Sequence, residues 1–157
     1  QLVLSDLGHI QSLYKTASHL LIGRDIGFFM YEHSTEQVNM VELEYSGAFK
    51  TRHVLDFLPR NSTTVWIATG NGLYLFDWIV KTVVDKIQNA DGDNGLSNNT
   101  VQALLALTND KILAGTANYL NLIDFSLPHF NTISKKLIIR FSQGVHSSAT
   151  PGVGLKL

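Results

Sequence analysis

The stretch Val65-Trp66-Ile67-Ala68-Thr69-Gly70-Asn71-Gly72-Leu73-Tyr74-Leu75-Phe76-Asp77 decides the fold. Two short apolar runs, rich in β-branched and aromatic residues, flank a Gly-Asn-Gly turn. Asn and Gly accept positive φ at little cost, so the runs read as two antiparallel strands of a hairpin. The second run ends in an acidic residue, Asp77.

Working outward, the same pattern occurs twice more. Ile10-Gln11-Ser12-Leu13, Leu21-Ile22-Gly23 and Gly27-Phe28-Phe29-Met30-Tyr31-Glu32 align with Val54-Leu55-Asp56-Phe57, Trp66-Ile67-Ala68-Thr69 and Gly72 to Asp77. These align in turn with Val101-Gln102-Ala103-Leu104, Leu113-Ala114-Gly115-Thr116 and Tyr119 to Asp124. Ala68 follows Gly23 by 45 positions and Gly115 follows Ala68 by 47; Glu32, Asp77 and Asp124 repeat the same two shifts. The first unit is one residue shorter between its opening strand and its glycine.

Each unit reads as an opening buried strand such as Val101 to Thr108, a turn (Asn109-Asp110), a second strand from Lys111 to Gly115, and a third strand ending in an acid. The small residues Gly23, Ala68 and Gly115 suit close packing between neighbouring sheets. Thr82 to Ile87 reads as a fourth, outer strand. Trp78 to Ile87 has some amphipathic helical character, but its β-branched run, Ile79, Val80, Thr82, Val83 and Val84, argues for strand. Four short strands repeated every ~40–45 residues are the pattern of β-propeller blades. The expected fold is therefore all-β, with four-stranded antiparallel sheets forming about three blades of an incomplete propeller. The units fall at residues 1–45, 46–92 and 93–141, with 142–157 a loop or the start of a further segment, rich in Ser, Gly and Thr.

Three blades do not close, since propellers use ~4–8 around a channel. The expected partners are therefore the remaining blades of the same propeller or a second copy of the chain. Gln1 at the start, running straight into Leu-Val-Leu, fits an interior piece of a longer protein. With net charge −1 and 16% charged residues, the chain has no strong pull on nucleic acid or anionic lipid. Lys135, Lys136 and Arg140 flank Leu137-Ile138-Ile139 and read as solvated charges on a strand. The absence of cysteine excludes disulfides, cysteine zinc sites and thiol catalysis. No apolar run approaches the ~20 residues of a membrane helix, so this segment is expected to make no membrane contact.

At these residues the chain resembles a known family. Val65 to Asp77 is similar to the "LWIGT-x-NGL-x-x-(F/Y)D" core of two-component regulator propeller repeats. Asn94-Gly95-Leu96-Ser97-Asn98-Asn99-Thr100-Val101-Gln102-Ala103-Leu104 resembles the "GLSNN-x-V-x-(A/S)-(L/I)" lead-in to such a blade. The match runs from about Ser5 to Phe125. It departs at Arg24-Asp25, which replace the usual Thr-x pair, and at Tyr119, which replaces a glycine. The resemblance implies the extracytoplasmic, periplasmic input region of a membrane-bound bacterial signalling protein. The output would be a hybrid histidine kinase or diguanylate cyclase, and the ligand an oligosaccharide or other small molecule.

Several motifs invite chemistry and fall short of it. The six histidines, at 9, 19, 33, 53, 129 and 146, have no compact ligand spacing. Asn89-Ala90-Asp91-Gly92-Asp93-Asn94 lacks the glycine at the sixth position and the glutamate at the twelfth of a calcium loop. Gly70-Asn71-Gly72 is half a dinucleotide fingerprint, set between strands. Asn61-Ser62-Thr63 and Asn98-Asn99-Thr100 are sequons, relevant only in a eukaryotic secretory host. No catalytic residue, metal or cofactor is expected. The acidic column Glu32, Asp77 and Asp124 is regular rather than convergent, which argues against an enzyme. Trp66 could serve as a sugar platform, but its column holds Leu21 and Leu113, so it reads as core.

A ligand would meet the loops at one face of the propeller. The candidates are Arg24, Asp25, Asn71, Asn98, Asn99 and Asn118, against the plainer reading that the asparagines only make Asx turns. The primary functional expectation is ligand sensing. The alternatives are a protein-interaction propeller without small ligand and a polysaccharide-active enzyme propeller.

Overall fold

The computed structural model describes residues 7–25, 27–41, 43, 53–89 and 95–126. Its regular elements are eleven strands: β1 (Ile10–Lys15), β2 (His19–Arg24), β3 (Phe28–Glu32), β4 (Gln37–Val41), β5 (Val54–Pro59), β6 (Thr64–Thr69), β7 (Gly72–Asp77), β8 (Thr82–Ile87), β9 (Val101–Thr108), β10 (Lys111–Thr116) and β11 (Leu120–Asp124). They form three antiparallel meanders: sheet 1 from β1 to β4, sheet 2 from β5 to β8, and sheet 3 from β9 to β11. The fold is all-β, with each sheet an incomplete set or full set of propeller-blade strands. The strand reading of Thr82 to Ile87 holds, and Trp78 to Lys81 is the turn before it. The stretches 90–94 and 127–157, with Lys135, Lys136, Arg140, His129 and His146, lie outside the described residues.

The repeat extends to backbone irregularities. Each opening strand carries a register shift at the same place: Gln11 lies between Ile10 and Ser12, Leu55 between Val54 and Asp56, Gln102 between Val101 and Ala103. A bulge leaves one residue unpaired and re-aims its side chain. The turns at the acidic ends also correspond. Glu36 and Lys81, 45 positions apart, both adopt left-handed φ of 56° just before the outer strand. Gly72, at φ 117°, is needed in its turn, because a Cβ there would stand 2.8 Å from the Ile87 carbonyl oxygen. The third unit closes its turn without glycine. Thr116 Oγ1 donates to the Tyr119 carbonyl at 2.9 Å and accepts from the Tyr119 amide at 3.2 Å.

Period-two alternation sends the two faces of sheet 2 to opposite neighbours. Val65, Ile67, Tyr74 and Phe76 pack with Leu21, Phe28 and Met30 of sheet 1. Trp66, Ala68 and Leu73 pack with Ile112, Ala114 and Ile123 of sheet 3. Every residue of β6 is consequently buried. Full burial of one such side chain contributes about 1.5–3 kcal/mol. Trp66 is core: its ring stacks on Phe125 at 5.0 Å, and Arg60 covers the Phe125 ring at 4.8 Å. Arg60 also donates to the Asn109 carbonyl and pairs with Asp110 at 3.6 Å.

Opening strands of successive sheets lie side by side, β1 against β5 and β5 against β9. Polar staples join them. Ser12 Oγ donates to the Val54 carbonyl at 3.0 Å, and the Leu104 amide donates to Asp56 Oδ2 at 2.8 Å. Gly23 lets the first seam close, since a Cβ there would meet Ser12 Oγ and lie 2.8 Å from both Val54 O and Val54 Cγ1.

Candidate functional site

The meander places the turns after β2, β6 and β10 at one end of the sheets, together with the lead-ins to β5 and β9. The acidic column lies at the other end, because Glu32 pairs with His19 and Asp77 with Thr64. There the acids cap turns. Asp77 Oδ1 accepts from the Ile79 and Val80 amides at 2.8 and 3.2 Å. Asp124 Oδ1 accepts from the Ser126 amide and hydroxyl. Ser34 and Thr35 hydroxyls donate to Glu32, and hold its carboxyl below the usual range; the Ser126 hydroxyl, then its amide, do the same for Asp124. This is turn chemistry, repeated unit by unit.

At the turn end, backbone hydrogen bonds lock each lead-in to two sheets. The His53 amide donates to the Asp25 carbonyl at 2.7 Å, while the Gly70 amide donates to the His53 carbonyl at 3.1 Å. His53 takes a left-handed φ of 58° to do so. At the next seam, the Gly72 amide donates to Asn99 O at 2.7 Å and the Ala117 amide to Thr100 O at 3.0 Å.

The structure separates the sequence candidates into two kinds. Asn98 and Asn99 hold the lead-in: Asn98 Oδ1 accepts from the Thr100 amide at 2.8 Å, and Asn99 Oδ1 from the Asn89 amide at 2.6 Å. The Asn71 carbonyl accepts from Gln88 Nε2 at 2.6 Å. Asn118 is exposed between β10 and β11.

Arg24 and Asp25 are different. Arg24 stands where sheets 2 and 3 have Thr69 and Thr116, whose hydroxyls bond to their own turns. Its guanidinium instead lies over the Phe29 ring, 4.9 Å from the centroid, beside Gly8. Five buried side-chain polar atoms among the described residues lack a protein hydrogen-bond partner, and three gather at this corner: Gln11 Oε1, Arg24 Nε and Asp25 Oδ1. Such groups are costly unless a ligand or water meets them. Gln11 is the bulged residue of β1, and its Nε2 lies 3.4 Å from His53 Nδ1. The corner therefore offers one cationic donor and two acceptors, one of them a carboxylate. Gln11 and His53 escaped the sequence reading. For His53 the available signal was its place just before an opening strand; for Gln11 there was none, since its bulge is defined only by pairing with β2.

Among the described residues no group of three or more His, Asp or Glu could hold a metal ion. Nor, among the described residues, is any helix long and apolar enough to cross a membrane.

No protein-family model and no curated protein matches the chain. Solved structures do resemble it. The extracellular domain of the putative hybrid two component system BT4673 from B. thetaiotaomicron is similar at TM-score 0.63 and 21% identity, over 94% of this chain and 18% of that one. The extracellular domain of BT3049, a putative hybrid two component system from the same organism, is similar at 0.63 and 13% identity, over 75% of this chain and 17% of that one. PorZ, a surface component of the type-IX secretion system of Porphyromonas gingivalis, is similar at 0.56 and 20% identity, over 71% and 17%. At these identities the likeness is one of fold. The chain spans less than a fifth of each of these proteins.

Proposed function

We propose that the chain is part of the ligand-sensing, extracytoplasmic β-propeller of a membrane-bound bacterial signalling protein, acting on the periplasmic side. The observation that carries this reading is the corner at Gln11, Arg24 and Asp25, where the repeat abandons its turn-closing threonine for unpartnered hydrogen-bonding groups. The fold shared with extracellular domains of two-component systems supports it. An oligosaccharide or other small polar ligand bound there would bridge the turn of sheet 1 to the lead-in of sheet 2. Because His53 is bonded to both sheets, occupancy would bias their relative arrangement and so a downstream output. The chain itself carries no reaction in this reading.

A thermal-shift screen of oligosaccharides and small polar metabolites tests the proposal. A ligand at 100 times its Kd adds ~2.7 kcal/mol of stability. Arg24→Thr, which restores the residue of the other two units, should keep the fold and abolish the shift. A panel in which no compound shifts the melting temperature would overturn the reading, as would a shift that persists in both Arg24→Thr and Asp25→Ala. The second outcome would move the site elsewhere; the first would favour a propeller that binds only proteins.

A further inference from the structure

We infer that the ligand of the corner at Gln11, Arg24 and Asp25 is a free α-amino acid, held by its carboxylate at Arg24 and by its ammonium at Asp25 and Gln11. This deepens the sensing reading and rests on it.

Backbone pairing brings the three residues together. Ile10 and Ser12, on either side of the bulged Gln11, pair with Arg24 and Gly23. Asp25 comes next in the chain, in a turn that closes from the Arg24 amide to the Gly27 carbonyl at 3.1 Å. The Asp25 carbonyl accepts from the His53 amide, so the lead-in to β5 lies against the same turn. Gln11 reaches that lead-in through Nε2, which leaves its Oε1 as the unpartnered end.

Charge distinguishes this corner. Arg24 and Asp25 are adjacent, with Cα atoms ~3.8 Å apart as in any trans peptide. Among the described residues the two form no ion pair with each other. The guanidinium lies over the Phe29 ring rather than on the carboxylate. Each keeps one polar atom shielded from solvent without a partner, Nε on the arginine and Oδ1 on the aspartate. Desolvating part of an ion is costly unless an opposite charge meets it. All three residues are half-buried, so the corner stays open to solvent on one side.

The complement must therefore carry both signs. An anion such as phosphate would neutralise Arg24 and be repelled by Asp25; a simple amine would do the reverse. A neutral sugar would fill hydrogen bonds and leave both charges unmatched. An α-amino acid carries its carboxylate and its ammonium on one carbon, which suits opposite charges on adjacent residues. The hydrogen-bond inventory agrees. Arg24 Nε is a donor and takes a carboxylate oxygen. Asp25 Oδ1 and Gln11 Oε1 are acceptors, and an ammonium offers three N–H groups. The other sheets lack this set. In place of Arg24, Thr69 and Thr116 bond to their own turns. Gly70 and Ala117 stand where sheet 1 has Asp25, and the bulged residue of sheet 2 is Leu55.

Thermal shift of the full chain against the proteinogenic L-amino acids, one at a time, tests this. At least one should raise the melting temperature. The amide of that amino acid, which lacks the carboxylate, should not, and neither should its N-acetyl derivative, which lacks the ammonium. Arg24→Thr and the isosteric Asp25→Asn should keep the far-UV spectrum. Each should weaken binding by about 30-fold or more, the loss expected when one partner of a desolvated charge pair is removed. A panel with no active amino acid overturns the inference. So does an amide or N-acetyl derivative that binds as well as its parent, or binding that survives both substitutions. Neutral oligosaccharides run in parallel separate this inference from the sensing reading. A sugar shift that Arg24→Thr abolishes, with no amino acid active, leaves the sensing site standing and overturns the amino acid as its ligand. A panel silent throughout overturns both.

Discussion

Gly23→Ala isolates the seam between sheets 1 and 2. The added Cβ would sit 2.8 Å from the Val54 carbonyl oxygen and 2.8 Å from Val54 Cγ1, and against Ser12 Oγ. Ser12 could swing away, but that abandons its bond to the Val54 carbonyl, a net loss of about 1 kcal/mol. The Val54 backbone cannot swing; it moves only if β5 moves, at an overpacking cost of about 1–3 kcal/mol. Against this stands about 0.4–1 kcal/mol from the lower backbone entropy of alanine in the unfolded chain. The balance is a destabilisation of about 1–3 kcal/mol. Gly115→Ala is the internal control. It occupies the same column, meets ordinary contacts at 3.7 and 3.9 Å, and should be neutral or stabilising by up to about 1 kcal/mol. Urea unfolding followed by tryptophan fluorescence reads both. A Gly23→Ala protein as stable as wild type would refute the close approach of the two sheets.

Three further outcomes follow from the seams and turns. Asp56→Ala removes the acceptor of the Leu104 amide and should cost about 1.5–3 kcal/mol in urea unfolding, with no change in far-UV spectrum. Trp66→Ala empties the contact with Phe125 and should cost about 3–5 kcal/mol; a loss under 1 kcal/mol would place the indole outside the core. Glu32 and Asp124 titrate below their ordinary values of 4.5 and 3.8 in the folded chain. A depressed carboxylate stabilises above its unfolded value and loses that contribution as pH falls through the folded one. Stability should therefore hold from neutral pH to about 4.5 as far as these two groups go, then decline. Carboxyl carbon shifts followed by NMR would show both midpoints displaced downward, and midpoints at or above the ordinary values would contradict the turn hydrogen bonds.

The strand pattern was legible as a trace of short apolar, β-branched runs between turn residues, although β9, read as a buried strand, is mostly exposed beyond Val101. Val101 to Thr108 and Thr82 to Ile87 coincide with β9 and β8. Trp66 was legible as core from its column alone. What the trace did not carry depends on register or on distance along the chain. The bulge at Gln11 exists only relative to β2, and no local composition marks it. Asp56 reaches an amide 48 residues away, a contact that no local pattern carries. Asn121, in a strand, holds the lead-in by accepting from the Ser97 amide at 2.9 Å and donating to the Ser97 hydroxyl at 2.9 Å. The site candidates divide on the same line. Arg24 stood out as a break in a threonine column, whereas His53 is defined by a left-handed backbone that joins two sheets. The asparagines were conspicuous for the turns they make.

Residue-resolved amide hydrogen exchange tests the central claim, that three blade-like sheets stack with the middle one covered on both faces. The amides of Val65 to Ala68 in β6 should exchange most slowly, near the rate of global unfolding, and those of β4 and β8 at the outer edges much faster. Uniform protection across β6 and β8, or helical protection spanning Trp78 to Ile87, would contradict the stacked-sheet account.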